Sequence, residues 1–292
     1  MIDYSFPLYR PPAEANSIII QATYGCSYNS CTFCSMYKSK KFEIRKIEDV
    51  FAEIDALALD NPNATRVFLA DGDALFLETE YLTKLLHYLN QVFAKLRRVS
   101  VYATAQNLLE KSDHDLALLK EHKLNLLYYG IETGNEALLR KINKGVSATE
   151  LITSLNKASK AGIKISATVI LGIGGEKQTL EHIKDTANIV NQTSINYLST
   201  LQLGLEDNVK ERFVKAFENF KALDDHQVLD EQIRFLEHLD PDNKVIFRSN
   251  HASNALHLAG TLPRDKRRLI KELQEALEIG EKALIPKVFR GF

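Results

Sequence analysis

The sequence predicts an α/β protein built on a parallel sheet covered by helices. Six short, β-rich apolar runs recur between residues 17 and 203, and segments of helical period alternate with them. A further observation places the chemistry. All three cysteines of the 292-residue chain fall between positions 26 and 34, directly after the first run.

The runs are SIIIQAT (17–23), RVFLA (66–70), RVSVYAT (98–104), NLLYYGI (125–131), IKISATVIL (163–171) and NYLSTLQL (196–203). Between them lie amphipathic stretches: IEDVFAEIDALAL (47–59), EYLTKLLHYLNQVFAKL (80–96), HDLALLKEH (114–122), ATELITSLNKASKAG (148–162) and TLEHIKDTANIVN (179–191). Gly162 closes the fourth, where a helix favours a left-handed C-terminal residue. Periodicity leaves a barrel-like and a doubly wound sheet equally open. In both, ligands gather at the C-terminal ends of the strands, so the residues just after each run are where chemistry is expected.

Beyond residue 204 the texture changes to helices over 207–239, a short strand or extended segment at 244–250, and a long amphipathic helix over 264–284. No Gly/Ser/Pro linker intervenes. The expectation is a core over 1–203 with a C-terminal extension, 204–292, packed on it.

Composition excludes several classes. Hydrophobic residues at 45% and charged ones at 26% are globular rather than disordered values. A net charge of −1 creates no overall field that would select or reject nucleic acid. No apolar run approaches the roughly 20 residues of a membrane span, and the N-terminal segment lacks the basic-then-apolar order of a secretory signal. With few, clustered thiols, the chain reads as cytoplasmic.

The cysteines stand as C-x4-C-x2-C: Cys26, Cys31 and Cys34. An odd thiol count leaves one over in any disulfide scheme. A structural zinc site would want a fourth Cys or His nearby, and the next histidine in sequence is His87. Three thiolates on a four-iron cluster leave one iron without a protein ligand, open to substrate or cofactor. Zinc binding and three incidental cysteines are the plainer alternatives.

A three-cysteine loop after the first strand, with Phe33 before the last cysteine, resembles the radical S-adenosylmethionine enzymes. The spacing C-x3-C-x2-C is more usual there, and C-x4-C-x2-C occurs in some branches. The resemblance implies a partial (β/α)6 TIM-like barrel with a helical C-terminal extension. It also implies a 4Fe–4S cluster on Cys26, Cys31 and Cys34, with S-adenosylmethionine chelating the open iron. One electron then cleaves the sulfonium to methionine and a 5′-deoxyadenosyl radical, which abstracts hydrogen from substrate. A low-potential electron donor such as flavodoxin or ferredoxin is implied as partner.

The other strand ends fit the resemblance. After the second run, Asp71-Gly72-Asp73 stands where the family holds the cofactor's methionyl amino group; a tight Asp-Gly turn is the plain alternative. After the fourth run, Glu132 stands where the family bonds the ribose hydroxyls, and helix-start electrostatics would equally favour an acid there. The stretch GIETGNEALLRKINKG is similar to the coproporphyrinogen-oxidase-like and methylthiotransferase-like branches. After the fifth run, VILGIGGE places Val169, Leu171 and Ile173 to flank an adenine, with Phe33 and Ile173 the chosen contacts. The glycines lack both the dinucleotide fingerprint and the lysine of a phosphate loop. The C-terminal VIFRSNHASNALHLAGTLPRDKRRLI resembles a group of these proteins of unassigned reaction.

With all three cysteines committed, no thiolate remains for a second cluster, a methyl-carrying cysteine or a thiyl hydrogen donor. Sulfur insertion and methylation through a protein cysteine are therefore disfavoured, and cobalamin-dependent chemistry is not expected with only sixteen residues before the first run. Ser35 and Met36 follow Cys34 where coproporphyrinogen oxidase has another cysteine, so that activity is not transferred. The expected substrate is a small molecule, with nucleic acid less favoured. The candidate hydrogen donors are Tyr102, Tyr128 and Tyr197, against a plain role in packing. In FRSNHASN, Arg248, Asn250, His251 and Asn254 are candidate contacts for a carboxylate or carbonyl, with His251 a possible proton shuttle, against a hydrogen-bonded closing loop. Lys266, Arg267 and Arg268 read as a solvated helix face rather than an RNA contact. Two competing functions stand beside the enzyme: a haem or tetrapyrrole carrier on the same scaffold, and an RNA-modifying enzyme.

Overall fold

The computed structural model describes residues 4–291. In chain order the elements begin with β1 (Ile18–Ile20), the small antiparallel pair β2 (Thr23–Tyr24) and β3 (Glu43–Ile44), then α1 (Ile47–Asp60), β4 (Arg66–Leu69) and α2 (Thr79–Val92). There follow β5 (Arg98–Ala103), α3 (Ala105–Glu110), α4 (Asp113–Glu121), β6 (Leu124–Glu132), α5 (Glu136–Lys141) and α6 (Ala148–Lys160). The chain continues through β7 (Lys164–Leu171), α7 (Gly175–Asn191), β8 (Tyr197–Gln202), α8 (Asp207–Lys215) and α9 (Asp225–His238). It ends with β9 (Val245–Ser249), β10 (Leu258–Leu262) and α10 (Lys266–Ile279). Eight of the strands form one sheet in the order β1-β4-β5-β6-β7-β8-β9-β10.

All six apolar runs became strands of this sheet, because each carries enough β-branched and aromatic residues to fill both of its faces. The sheet is mostly parallel, as the alternation with helices required. It is larger than the six strands anticipated. The segment at 244–250 forms β9, parallel to β8, and Leu258–Leu262 adds β10 antiparallel to β9. Both strands lie beyond residue 203, so the C-terminal part extends the sheet as well as contributing helices.

Two compact units divide the chain. The first comprises the described part of Met1–Asn29, with Cys34–Tyr129 and Lys157–Ile165; the second comprises Ser30–Phe33, Gly130–Asn156 and Ser166–Phe292. In the first, Ile20, Val67, Phe68 and Val99 are fully buried, with Leu82, Leu85 and Leu89 of α2 closing the core. In the second, Ala167, Leu198, Val245 and Phe247 are fully buried, and Gln232 of α9 donates to the Thr200 hydroxyl at 3.3 Å. The helices therefore cover that face of β7, β8 and β9.

Caps set several helix starts. Thr104, Ser112 and Asp224 each accept the backbone N–H three residues on, while that residue's side chain answers the cap's own N–H. The helix read over 80–96 stops at Val92, and the one read over 264–284 ends at Gly280, which takes φ +76. Among the described residues no helix is long and apolar enough to cross a membrane.

Phe247 tests whether β9 belongs to the core. Its truncation to alanine should cost about 3–5 kcal/mol in urea unfolding. A loss well below 1 kcal/mol would make β9 a peripheral addition.

Candidate functional site

The first unit carries the opening of the cysteine loop and the Asp71-Gly72-Asp73 turn, and backbone joins them directly. Gly25 N–H donates to Asp71 Oδ2 at 2.8 Å, and Gly72 N–H donates to Gly25 O at 2.9 Å. Cys26 follows Gly25, so the first thiol is pinned to the end of β4. Only glycine fits at position 72, because a Cβ there would stand 2.7 Å from the Cβ of Cys26 and 2.9 Å from the Tyr37 ring.

Asp71 lies at φ +66, a left-handed conformation that costs a non-glycine residue energy and marks a constrained position. Its carboxylate is wholly buried and turned inward. Lys40 Nζ donates to Oδ2 at 2.6 Å and Gln21 Nε2 to Oδ1 at 3.2 Å. Lys40 also donates to the carbonyls of Ser5 (3.0 Å) and Pro7 (3.2 Å), and Gln21 exchanges two 2.9 Å bonds with the Ser5 backbone. Burial pushes the Asp71 carboxyl upward, against the pull of Lys40 and the Gly25 N–H. Of the acids in the turn, Asp71 is spent on holding the loop.

Asp73 differs. The Ser27 hydroxyl donates to Oδ2, while Oδ1 is buried with no well-formed hydrogen bond. Burial raises its pKa to about 6, although Ser27 and Asn107 favour the charged form. A buried acceptor without a donor suits a cationic amine. Tyr37, whose ring lies against Gly72, has only 3% of its surface exposed and its hydroxyl unpartnered. Burial, then the neighbouring Tyr102, Asp71 and thiol groups, drive the Tyr37 pKa far upward. Tyr102 is half-buried against Phe68 and Tyr128, and burial followed by Cys34 and Glu14 raises its pKa too. Tyr128 donates to the buried Glu14 at 2.6 Å.

The second unit carries Cys31, Phe33, Glu132 and Ile173. Thr32 N–H donates to Ile142 O at 2.9 Å, and Asn143 and Arg212 both donate to Ser30 O, which fixes the stretch around Cys31. Phe33 packs on a cluster of Leu138, Ile142, Ile170, Ile173, Phe213 and Phe217, so Phe33 and Ile173 belong to one apolar group. Ile173 is fully buried there; Phe33 retains some exposure.

Glu132 also lies in the left-handed region, at φ +61, and is 8% exposed. Lys144 Nζ lies 2.9 Å from its Oε1. The carboxylate folds back over Gly130, where a Cβ would stand 1.9 Å from Oε1. Helix α7 clamps the following loop: His182 Nδ1 meets the Thr133 hydroxyl at 2.8 Å, and Gly134 N–H donates to Thr186 at 2.8 Å. Burial lowers the His182 pKa to about 4, so its ring is neutral at physiological pH. At the end of β7, Glu231 accepts from Gly172 N–H at 2.5 Å and from the Thr179 hydroxyl at 2.7 Å, its pKa raised to about 7 by burial.

The C-terminal candidates separate. Asn254 is buried and engaged, donating to Thr200 O (2.8 Å) and Ser249 (2.7 Å) and accepting from Gln202 N–H. His251 is half-buried with Nδ1 on Ser253, and desolvation lowers its pKa. Arg248 and Asn250 are exposed. In the basic cluster, Arg268 pairs with Glu272, and Lys266 donates to the carbonyls of Glu237 and Leu239 at 2.8 Å. Arg264 pairs with Asp265 at 2.9 Å. These charges are largely answered within the chain, as a solvated helix face would have them.

Sequence reasoning overlooked Lys40, Gln21, Ser27 and Lys144. Lys144 lay inside the quoted KINKG segment, where a cation twelve residues after an acid at a strand end was the available signal. Lys40, in a run of solvent-like lysines, gave none.

The model of the radical SAM superfamily matches residues 20–190. The chain belongs to the radical SAM superfamily. Its members use a 4Fe–4S cluster and S-adenosylmethionine. Among curated relatives, the heme chaperone HemW of Bacillus subtilis (strain 168) is 29% identical over 146 residues, covering 50% of this chain and 38% of that protein. The tRNA-2-methylthio-N(6)-dimethylallyladenosine synthase of Alkalilimnicola ehrlichii is 29% identical over 212 residues, covering 65% of this chain and 45% of the relative. The chain thus spans less than half the length of these two relatives. Coproporphyrinogen III oxidase (HemN) from Escherichia coli shares the fold with a TM-score of 0.57 at 17% identity, over 76% of this chain and 52% of that one. The hydrogenase maturase HydG from Carboxydothermus hydrogenoformans gives 0.52 at 17%, over 88% and 56%.

Three thiols are donors of the chemistry a cluster takes. Cys26, Cys31 and Cys34 are all free of disulfides and partly exposed. Among the described residues no three His, Cys, Asp or Glu side chains converge as ligands of a single ion. A cluster makes a different demand, since each thiolate binds its own iron.

Replacing Lys40 with methionine should cost about 3–5 kcal/mol, because it strands a buried carboxylate. Adding Asp71→Asn should restore most of that loss in urea unfolding. A single variant as stable as wild type would mean that Asp71 is not held by charge pairing.

Proposed function

We propose that this chain cleaves S-adenosylmethionine reductively and abstracts hydrogen from a small-molecule substrate, with Cys26, Cys31 and Cys34 as the cluster ligands. The observation that carries the reading is the buried, unpartnered Asp73 oxygen in the turn whose glycine packs against Cys26. When bound, the cluster supplies one electron for cleavage and an iron that no protein group ligates.

The chain's own residues then bind and orient. Asp73 Oδ1 accepts from the cofactor's ammonium, and the close approach at Gly72 leaves main chain, not a side chain, facing it. Asp71 positions this turn without touching the cofactor. Glu132 accepts from the ribose hydroxyls, for which it must part from Lys144; the released ammonium is a counter-charge for the cofactor's carboxylate. Phe33 and Ile173 supply the apolar surface for adenine. Tyr102 is a candidate hydrogen donor to a product radical and His251 a candidate proton carrier. The electron donor is a low-potential protein of the flavodoxin or ferredoxin kind, in a reducing cytoplasm.

A second reading is favoured by the likeness to a protein named a heme chaperone: the chain would carry a tetrapyrrole rather than transform a substrate. An RNA-modifying role is not supported by the basic segment, whose charges are mostly paired internally.

The test is anaerobic reconstitution, dithionite reduction and mass-spectrometric assay of 5′-deoxyadenosine. Wild type should form it and Cys31→Ala should not. Equal yields would overturn the ligand assignment. No product from wild type, together with a haem absorbance band on titration, would favour the carrier.

Gly130→Ala gives a finer check. The atoms nearest the added methyl are the flexible ends of Glu132 and Lys144, so stability should hold within about 1 kcal/mol while affinity for S-adenosylmethionine falls. Unchanged affinity would remove Glu132 and Lys144 from the cofactor site.

A further inference from the structure

In the second unit, Ala167, Leu198 and Phe247 stand in register on the helix-covered face of β7, β8 and β9, and at the next register position the opposite face is polar. Strand register aligns Thr168 with Ser199, and Ser199 with Arg248. Residues in register on adjacent strands point to the same face, with about 5 Å between neighbouring Cβ atoms. Thr168 and Ser199 are half-buried and Arg248 is exposed. Two hydroxyls and a guanidinium therefore stand in one row, about 10 Å long by strand spacing.

None of the three is used up by the fold. Among the described residues, no hydrogen bond engages the hydroxyls of Thr168 or Ser199, and no carboxylate pairs with Arg248. The guanidinium is instead steadied from one end, its Nη1 donating to Phe247 O at 2.8 Å and lying 3.4 Å from Gly260 O. This orients the fork while leaving Nε and Nη2 available. Tyr197, aligned with Ser166 on the row before, adds a half-buried phenol on the same face, and exposed Asn250 follows Arg248 by two residues. Charge-assisted donors in a fixed fork, flanked by hydroxyls, match the oxygens of a carboxylate or a phosphate.

We propose that the row of Thr168, Ser199 and Arg248 binds the anionic group of a small-molecule substrate, a carboxylate or a phosphate. That the ligand is a substrate rests on the function proposed above; that the row binds an anion does not. Asn254 takes no part, since its side chain joins β8 to β9.

Equilibrium dialysis of the reconstituted protein tests this without S-adenosylmethionine, so failure of cleavage and failure of anion binding remain separate results. The probes are radiolabelled succinate and radiolabelled inorganic phosphate, each with wild type, Arg248→Gln, Arg248→Lys and, as control, Arg267→Gln on α10. Wild type and the control should bind one probe alike, and Arg248→Gln should weaken it about tenfold, the loss expected for one charged hydrogen-bonded contact. Arg248→Lys, which keeps charge but not the fork, should fall between. Thr168→Val, nearly isosteric, should weaken binding a few-fold and guards against misfolding of the arginine variants. The tighter probe identifies the anion as carboxylate or phosphate. Equal binding by wild type and Arg248→Gln, or no binding of either probe, overturns the proposal.

Discussion

A lysine and an aspartate, both out of water, hold the cysteine loop to the end of β4. Lys40 and Asp71 meet at 2.6 Å with side chains 5% and 0% exposed. Such a pair contributes little net stability compared with an apolar substitute, yet losing either partner is costly because the other is left charged and buried. Its geometry gives it a positioning role. The same two side chains gather the backbone of Ser5, Pro7 and Gly25, so the N-terminal segment and the start of the cysteine loop are fixed by one contact. Cys26 and Gly72 then have little freedom, and the acceptor on Asp73 is presented by a rigid turn.

The device recurs in the second unit. Glu132 ends β6 in left-handed conformation, as Asp71 does just beyond β4, and each is faced by a lysine, Lys144 from a later loop and Lys40 from an earlier one. The difference lies in solvent. Asp71 is sealed and so becomes scaffold, whereas the Glu132–Lys144 side chains retain 10% and 15% exposure and can exchange partners. Strain at both sites is consistent with residues held for function by surrounding contacts, here the α7 clamp on Thr133 and Gly134.

Much of this was legible in the sequence. Runs such as IKISATVIL must be buried on both faces, and their alternation with amphipathic segments leaves few architectures besides a parallel sheet. The strand ends were correctly located, because βα connections follow from the same pattern. The roles within them were less legible. Asp71 and Asp73 look equivalent in DGD and are equally buried, and only their partners separate the acid tied to Lys40 and Gly25 from the one with an unanswered oxygen. Strand β10 went unseen because LAGTL has a small, weakly β-forming centre and pairs through its neighbour. Arg248 was read as one member of a polar loop; that it shares a face with Thr168 and Ser199 depends on register, which no single strand's sequence encodes.

The central claim is that three thiols leave one iron of a four-iron cluster free of protein ligands. Mössbauer spectroscopy of protein reconstituted with iron-57 tests it most directly, by comparing spectra before and after addition of S-adenosylmethionine. The account predicts one cluster per chain and, with the cofactor, a single iron whose parameters separate from the other three. A spectrum unchanged by the cofactor, or a protein that takes up zinc and no cluster, would contradict it.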